Sequence, residues 1–447
     1  MRDQGPAIVC TKLQRVAEMS KRISGEALTT LAHHIDLEFL KEAYRRTRKD
    51  GASGVDGKTA EEYAANLETN LESLLDRFKA GTYRAPPVRR VHIPKGDGEK
   101  TRPIGIPTFE DKILQRAVTM ILEAVYEQEF LPCSYGFRPK RSVHDAIEAL
   151  WKELEGVRGG WVLEVDIQDF FGTLNHRQLR EILDQRVRDG VLRRTINKWL
   201  KAGVLEDGVL MRSDLGTPQG GVVSPILANI YLHAVIDEWF ERDVRPRLRG
   251  RAALFRYADD ITMVFACEED VRRVLEVLPK RLAKYGLTLH PEKTRLIDFA
   301  RPKERSTNGD QDSRRPGSFD FLGFKHYWGR SRKGRSTVKR KTSSKRFTRS
   351  LRKVYEWCKT HRHWRICDQH KALSQKLLGH YSFYGITGNF PAIGCFYEEV
   401  KRVWQKWLNR RSQKRTMPWE RMSKLLKRYP LPRPRVVHST ISHAARP

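Results

Sequence analysis

The 447-residue chain carries 85 Lys plus Arg against 54 Asp plus Glu, a net charge of +31, and 39% of it is hydrophobic. That apolar share suffices for several cores and excludes wholesale disorder, and the length predicts about two to four domains. No apolar run reaches the ~18 residues of a spanning helix; the nearest, Gly220 to Ile236, is broken by Ser224, Pro225, Asn229 and His233. The start, Met1 to Lys12, has no cleavage pattern, so no secretory signal is expected. The six cysteines lie far apart without a C-x-x-C pair, which argues against a zinc module or a disulfide framework and for a reducing compartment. A solvated basic surface is one reading of the charge; over a 52 kDa chain a polyanionic partner is the better one.

Residues 1–80 are helical in pattern, with a turn-rich break from Asp50 to Gly57. From Tyr83 to about Phe324, short β-rich runs alternate with helical segments, which predicts an α+β domain. Within it, Trp161 to Ile167 reads as a strand bearing Asp166 just before Phe170 and Phe171. Gly216, Gly220 and Gly221 mark a turn ahead of a helix that Ser224 would cap, with Pro225 at its first position. Apolar Leu254-Phe255 and Ile261 to Phe265 flank Tyr257-Ala258-Asp259-Asp260, so two acids fall at a tight β-turn. Arg301 to Ser318 is almost purely polar and reads as a loop between two strands.

Between Arg330 and Arg349 stand ten Lys or Arg and no acid. Such a run reads as a solvated linker. Flanked by Tyr327, Trp328 and Phe347, it also suits a phosphate-tracking surface, with Arg330, Arg332, Lys333, Arg335, Lys339, Arg340 and Lys341 as candidate nucleic-acid contacts. Three helices follow from their stripes: Phe347 to Cys358, Leu373 to Tyr381, and Phe396 to Leu408. The tail from Tyr429 is Pro-rich and extended, and no internal repeat is present.

Adjacent carboxylates at a hairpin tip are poorly tolerated unless solvent or a cation neutralises them. A solvated turn is the plain reading of Asp259-Asp260 alone. With Asp166 on a second strand, three carboxylates could instead hold two Mg2+ ions about 3.5–4 Å apart, for phosphoryl transfer. The order of the blocks then points to a family. Asp166 to Phe171, Gly216 to Pro225, Tyr257 to Asp260, Gly286 to Thr294 and Phe321 to Phe324 follow one another as in the reverse transcriptases of bacterial group II intron-encoded proteins. Ile93-Pro94-Lys95, Thr101 to Pro107 and Ser134 to Pro139 resemble the fingers blocks of the same family.

The resemblance implies an α+β right-hand polymerase followed by an all-α thumb, or maturase X domain. On that plan 1–82 is an N-terminal helical extension and the start of fingers, 83–325 fingers and palm, and 326–346 a basic linker. Residues 347–428 are the thumb and 429–447 a basic Pro-rich tail. It implies Asp166, Asp259 and Asp260 as catalytic metal ligands for Mg2+, with Mn2+ as a substitute. It implies Lys95, Arg102, Phe171 and Gln219 as nucleotide contacts, with Phe171 excluding the 2′-hydroxyl. The implied partners are an RNA template, intron RNA, a DNA or RNA primer and deoxynucleoside triphosphates in a bacterial cytoplasm. Leu378 to Tyr384 resembles the maturase segment, and no Cys–His endonuclease cluster follows it. The chain departs from the family's habit at Asp169, Gly172 and Asn175. A domesticated enzyme of DNA repair or antiphage defence, or mainly an RNA-binding splicing factor, are the alternatives.

Overall fold

The computed structural model describes residues 5–95, 100–206, 209–211, 216, 220–302, 316–331, 333–412 and 416–439. The chain divides into two compact units, residues 1–146 with 163–296, and 147–162 with 297–447.

In the first unit, four helices open the chain: α1 (Gly5–Arg22), α2 (Leu37–Arg46), α3 (Ala60–Ala64) and α4 (Leu67–Lys79). Their starts are written in the sequence. Asp36 accepts from the Phe39 amide to begin α2, and Thr59 with Glu62 forms a reciprocal capping box at α3. Strands β1 (Val88–Lys95) and β2 (Lys100–Ile106) pair antiparallel, with Ile93 opposite Arg102. Next comes α5 (Phe109–Tyr126), buried along most of its length; α1 and α2 pack on it. Helix α6 (Val143–Gly156) and strand β3 (Trp161–Val165) follow, each running partly in the second unit, then α7 (Phe170–Thr173), α8 (His176–Leu183) and α9 (Gly190–Lys201).

The short strands β4 (Val204–Glu206) and β5 (Val209–Met211) extend the first hairpin into a sheet of order β2-β1-β4-β5. Helix α10 (Ser224–Leu232) is buried at every position but Pro225 and continues in π-helical geometry over His233–Asp237 and Trp239–Val244. The expected cap is displaced: Val223 is the N-cap residue and Ser224 is already inside the helix, because Pro225 fits the first turn rather than one fixed position. Strands β6 (Ala252–Tyr257) and β7 (Asp260–Phe265), helix α11 (Glu268–Ala283) and strand β8 (Arg295–Asp298) complete a second sheet of order β6-β7-β3-β8.

The second unit holds β9 (Phe319–Phe321), β10 (Phe324–Arg330) and β11 (Ser336–Thr342) as a sheet of order β11-β10-β9, then α12 (Ser344–Thr360), α13 (Ile366–Tyr384), α14 (Phe390–Asn409) and α15 (Trp419–Arg428). Its core is Val354, Cys358, Leu373, Leu377, Tyr381, Phe396, Val400 and Trp404, drawn from the three expected stripes. Leu378, of the second stripe, is 40% exposed. Helix α15 carries no stripe long enough to have been anticipated.

Two expectations are corrected here. Residues 326–346 are not a linker, because β10 and β11 form a seven-pair antiparallel hairpin running from Phe324↔Thr342 to Arg330↔Ser336. Alternation explains it: Val338, Arg340 and Thr342 are buried while Lys341 is exposed, the period of a one-faced strand. The second unit also begins at Ile297 and takes in 147–162, rather than starting after 325. Trp151 donates to the Val338 carbonyl at 2.9 Å, and Glu155 accepts from the Val338 amide and the Thr337 hydroxyl at 2.6 Å, tying that segment to β11. No helix among the described residues is long and apolar enough to cross a membrane.

Candidate active site

Strand β6 turns into β7 through Ala258 and Asp259, with Tyr257 opposite Asp260. Both acids are exposed, whereas the flanking strands are buried. Ala258 adopts φ 56°, a left-handed conformation that an L-residue holds only when its surroundings impose it. One imposing neighbour is Gly136: a Cβ there would stand 2.4 Å from the Ala258 nitrogen. Glycine is needed because the two backbones touch.

Asp166 follows β3, the strand beside β7. Its carbonyl accepts from the His290 amide at 2.8 Å, Ile167 bridges Leu289, and the Gln168 amide donates to Thr288 at 2.8 Å. The Asp166 segment and the Gly286–Thr294 block are therefore one local structure. Lys293 of that block donates to the Asp166 carboxylate at 2.8 Å. The pair is accessible, at 54% and 35% side-chain exposure, so it orients the carboxylate more than it stabilises the fold. Sequence reasoning placed Lys293 in a motif without giving it a role.

The segment after Asp166 bends sharply. Asp169 is left-handed at φ 40°, and its carboxylate folds over Gly172, where a Cβ would lie 2.1 Å from Oδ2. Phe170 is buried, and Phe171, half-buried, meets it edge-on with ring centroids 5.2 Å apart. Gly216, at φ 84°, packs against this bend, for a Cβ there would be 3.0 Å from the Phe171 carbonyl oxygen and 2.9 Å from that of Gly172. Its amide donates to Leu174 at 2.8 Å, and His176 bonds its carbonyl. Gly220, at φ 115°, packs against β2, with a Cβ position 2.5 Å from Ile104 Cγ2 and 2.7 Å from the Gly105 oxygen. Gly216 thus lies against the Phe171 bend and Gly220 against the strand that carries Arg102. Arg102 is exposed.

Of the other candidates, Lys95 ends β1 opposite Lys100, two pairs beyond Ile93↔Arg102. Gln219 and Arg332 lie outside the described residues, as does most of the polar stretch from Arg301 to Ser318. Arg330, Lys333, Arg335 and Lys341 are exposed and Lys339 is half-buried. Arg340 is the exception and a correction to the proposed phosphate surface. It is 5% exposed, its guanidinium lies 5.0 Å from the Trp151 ring centroid, and burial pushes its pKa down to about 10.

The chemistry of the acidic donors suits a hard divalent cation, which takes carboxylate oxygens, and all three carboxylates are accessible. Among the described residues, however, no three His, Cys, Asp or Glu side chains converge as a preformed metal cluster. The strand order brings the acid-bearing segments together in one sheet, with β7 beside β3.

A family model described as reverse transcriptase (RNA-dependent DNA polymerase) matches residues 93–326, more than half of the chain. The chain is 34% identical over 328 residues to protein YkfC of Escherichia coli (strain K12), covering 63% of this chain and 84% of that protein. It is 39% identical over 227 residues to the group II intron-encoded protein LtrA of Lactococcus lactis subsp. cremoris, covering 49% of this chain and 37% of LtrA. Nuclear intron maturase 2, mitochondrial, of Arabidopsis thaliana is 26% identical over 231 residues, which cover 41% of this chain and 31% of that protein.

Proposed function

Because this chain belongs to the reverse transcriptase family of RNA-dependent DNA polymerases, we propose that it extends a primer on an RNA template with deoxynucleoside triphosphates, and that it also binds and helps splice a group II intron RNA. The observation that carries the first part is the junction of three separated segments in one unit. Gly216 lies against the Phe171 bend and Gly220 against strand β2, beside a sheet whose adjacent strands end in Asp166 and in Asp259-Asp260.

Asp166, Asp259 and Asp260 would hold the divalent ions, Mg2+ or Mn2+, which when bound neutralise charge at the attacking 3′-hydroxyl and the departing pyrophosphate. Arg102, with Lys95, would grip the triphosphate; the guanidinium fork matches phosphate oxygens. Gln219 would meet the incoming nucleotide. The Phe171 ring would fill the space of a 2′-hydroxyl and so exclude ribonucleotides. On this plan β1–β2 belong to fingers, the β6-β7-β3-β8 sheet to palm, and α12–α14 to thumb. Arg330, Arg332, Lys333, Arg335, Lys339 and Lys341 would track phosphates.

Primer extension on RNA with deoxynucleotides and Mg2+ tests the polymerase: wild type extends and Asp259→Ala does not. Equal and negligible incorporation by both would refute it. The intron reading rests on the similarity to LtrA and the maturase. It expects tighter binding to the cognate intron than to an unrelated RNA of equal length, and equal affinity favours a domesticated role.

A further inference from the structure

Arg256 stands two residues before Ala258 on β6 and is wholly buried, 0% exposed. A buried guanidinium is tolerated only where its donors find acceptors. Here Nε and Nη2 donate to the two carboxylate oxygens of Asp237 at 2.7 and 2.6 Å, a two-pronged pair whose acid is also 0% exposed. Burial alone would raise the Asp237 pKa, but the adjacent guanidinium holds it below the ordinary value, so the acid stays ionised. Nη1 donates to Asn229 Oδ1 at 2.9 Å and to the Ala258 carbonyl at 3.2 Å. Asn229, in turn, donates to the Gly136 carbonyl at 2.7 Å.

The backbone repeats the tie. The Arg256 amide donates to Cys133 and the Tyr135 amide to Arg256, both at 2.8 Å. Residues from three segments thus close on the turn: 133–136, α10 with its π-helical extension, and β6. The acceptors are spread along the helix, Asn229 in α10 and Asp237 in the π-helical stretch, where the wider turn re-aims side chains. One of the four guanidinium bonds ends on Ala258 itself, the residue held in the left-handed conformation.

We propose that Arg256, gripped by Asp237 and Asn229, is a positioning residue that holds the Ala258 carbonyl and thereby sets the orientation of Asp259 and Asp260. The proposal rests on reading those acids as catalytic, and its clamp is measurable without catalysis. An ordinary core ion pair would contribute to stability alone.

Arg256→Lys keeps the charge beside Asp237 but cannot span Asp237, Asn229 and the Ala258 carbonyl together. Its deuterium uptake in the 254–262 peptide should rise while α5 peptides stay unchanged. Its kcat should fall about 10–100-fold with KM for primer–template unchanged, as for second-layer partners of a metal site. The double variant Arg256→Met with Asp237→Leu removes both charges, an exchange that often restores stability, yet leaves the turn without its donor. It should fold and show the same loss. Wild-type uptake and kcat in either folded variant overturns the proposal. The native protein supplies a test that no folding defect can obscure: residues 254–262 should exchange as slowly as α5. Exchange as fast as that of the exposed β5 strand overturns the clamp. Slow exchange in a protein without polymerase activity would leave the clamp standing and refute the functional reading instead.

Discussion

Asp169 and Gly172 are one feature rather than two departures, since the Asp169 carboxylate occupies the place where a side chain at 172 would begin. Gly172→Ala must expel that carboxylate, so it should destabilise the native protein and cost little when Asp169→Ala is already present. A denaturation cycle on the four proteins should give a coupling of about 0.5–3 kcal/mol; additive effects would show that the two residues are independent. Phe171 tests the bend differently. Its ring is half-buried, so Phe171→Ala should destabilise by less than the ~3–5 kcal/mol of a fully buried ring, and the ratio of ribo- to deoxynucleotide incorporation should rise. A lower melting temperature with unchanged discrimination would make the ring purely structural. The acids, Phe171 and the turn glycines were legible as ordered motifs. The pairing of Asp169 with Gly172, and Lys293 with Asp166, was not, because both depend on how side chains fold back across the chain.

Hairpins decide the next level. The β6–β7 turn was legible because apolar runs on both sides leave two residues between them. The β10–β11 hairpin was hidden by its own charge: seven of ten cations in the run fall within 330–341, and composition suggested solvent on all sides. The strand instead buries alternate positions, Arg340 included, and leaves Lys339 half-buried and Lys341 exposed. Removing Arg330, Lys333, Arg335 or Lys341 should each lower the salt-dependence slope of RNA binding by about one if that residue contacts a phosphate. Arg340→Met should leave the slope unchanged and lower the melting temperature, because its partner is Trp151. A slope change at Arg340 equal to the others would contradict the burial. Gly136→Ala belongs to the same scale: its Cβ meets backbone rather than a movable side chain, so it should shift the β6–β7 turn and reduce polymerisation. Wild-type extension by a folded Gly136→Ala protein would show that the close approach is incidental.

Across the whole chain, buried titratable groups in the two units contribute with opposite signs in mild acid. In the second, burial pushes His326 down to about 3, with the Arg340 charge adding to it, and burial pushes His380 down to about 4. Native histidines with depressed pKa values bind fewer protons than the unfolded chain, so this stability is complete above about pH 6.5 and is lost as pH falls towards 3. In the first unit, burial raises Asp111 to about 6. Its native form binds more protons than the unfolded one, so its contribution grows as pH falls from about 6 to 4. Calorimetry between pH 7 and 5 should show the second unit's transition moving down further than the first's; equal shifts would contradict these assignments. Charge and block order made the nucleic-acid role legible from the sequence, while the unit boundary was not, since hydrogen bonds of Trp151 and Glu155 rather than a composition break define it. The central claim is that Asp166, Asp259 and Asp260 form one divalent-ion centre on adjacent strands. Its most direct test counts Mn2+ bound, by electron paramagnetic resonance, with primer–template and an incoming deoxynucleotide present. Wild type should retain about two ions and the Asp166→Asn, Asp259→Asn, Asp260→Asn triple variant none; equal retention by the two proteins would contradict the account.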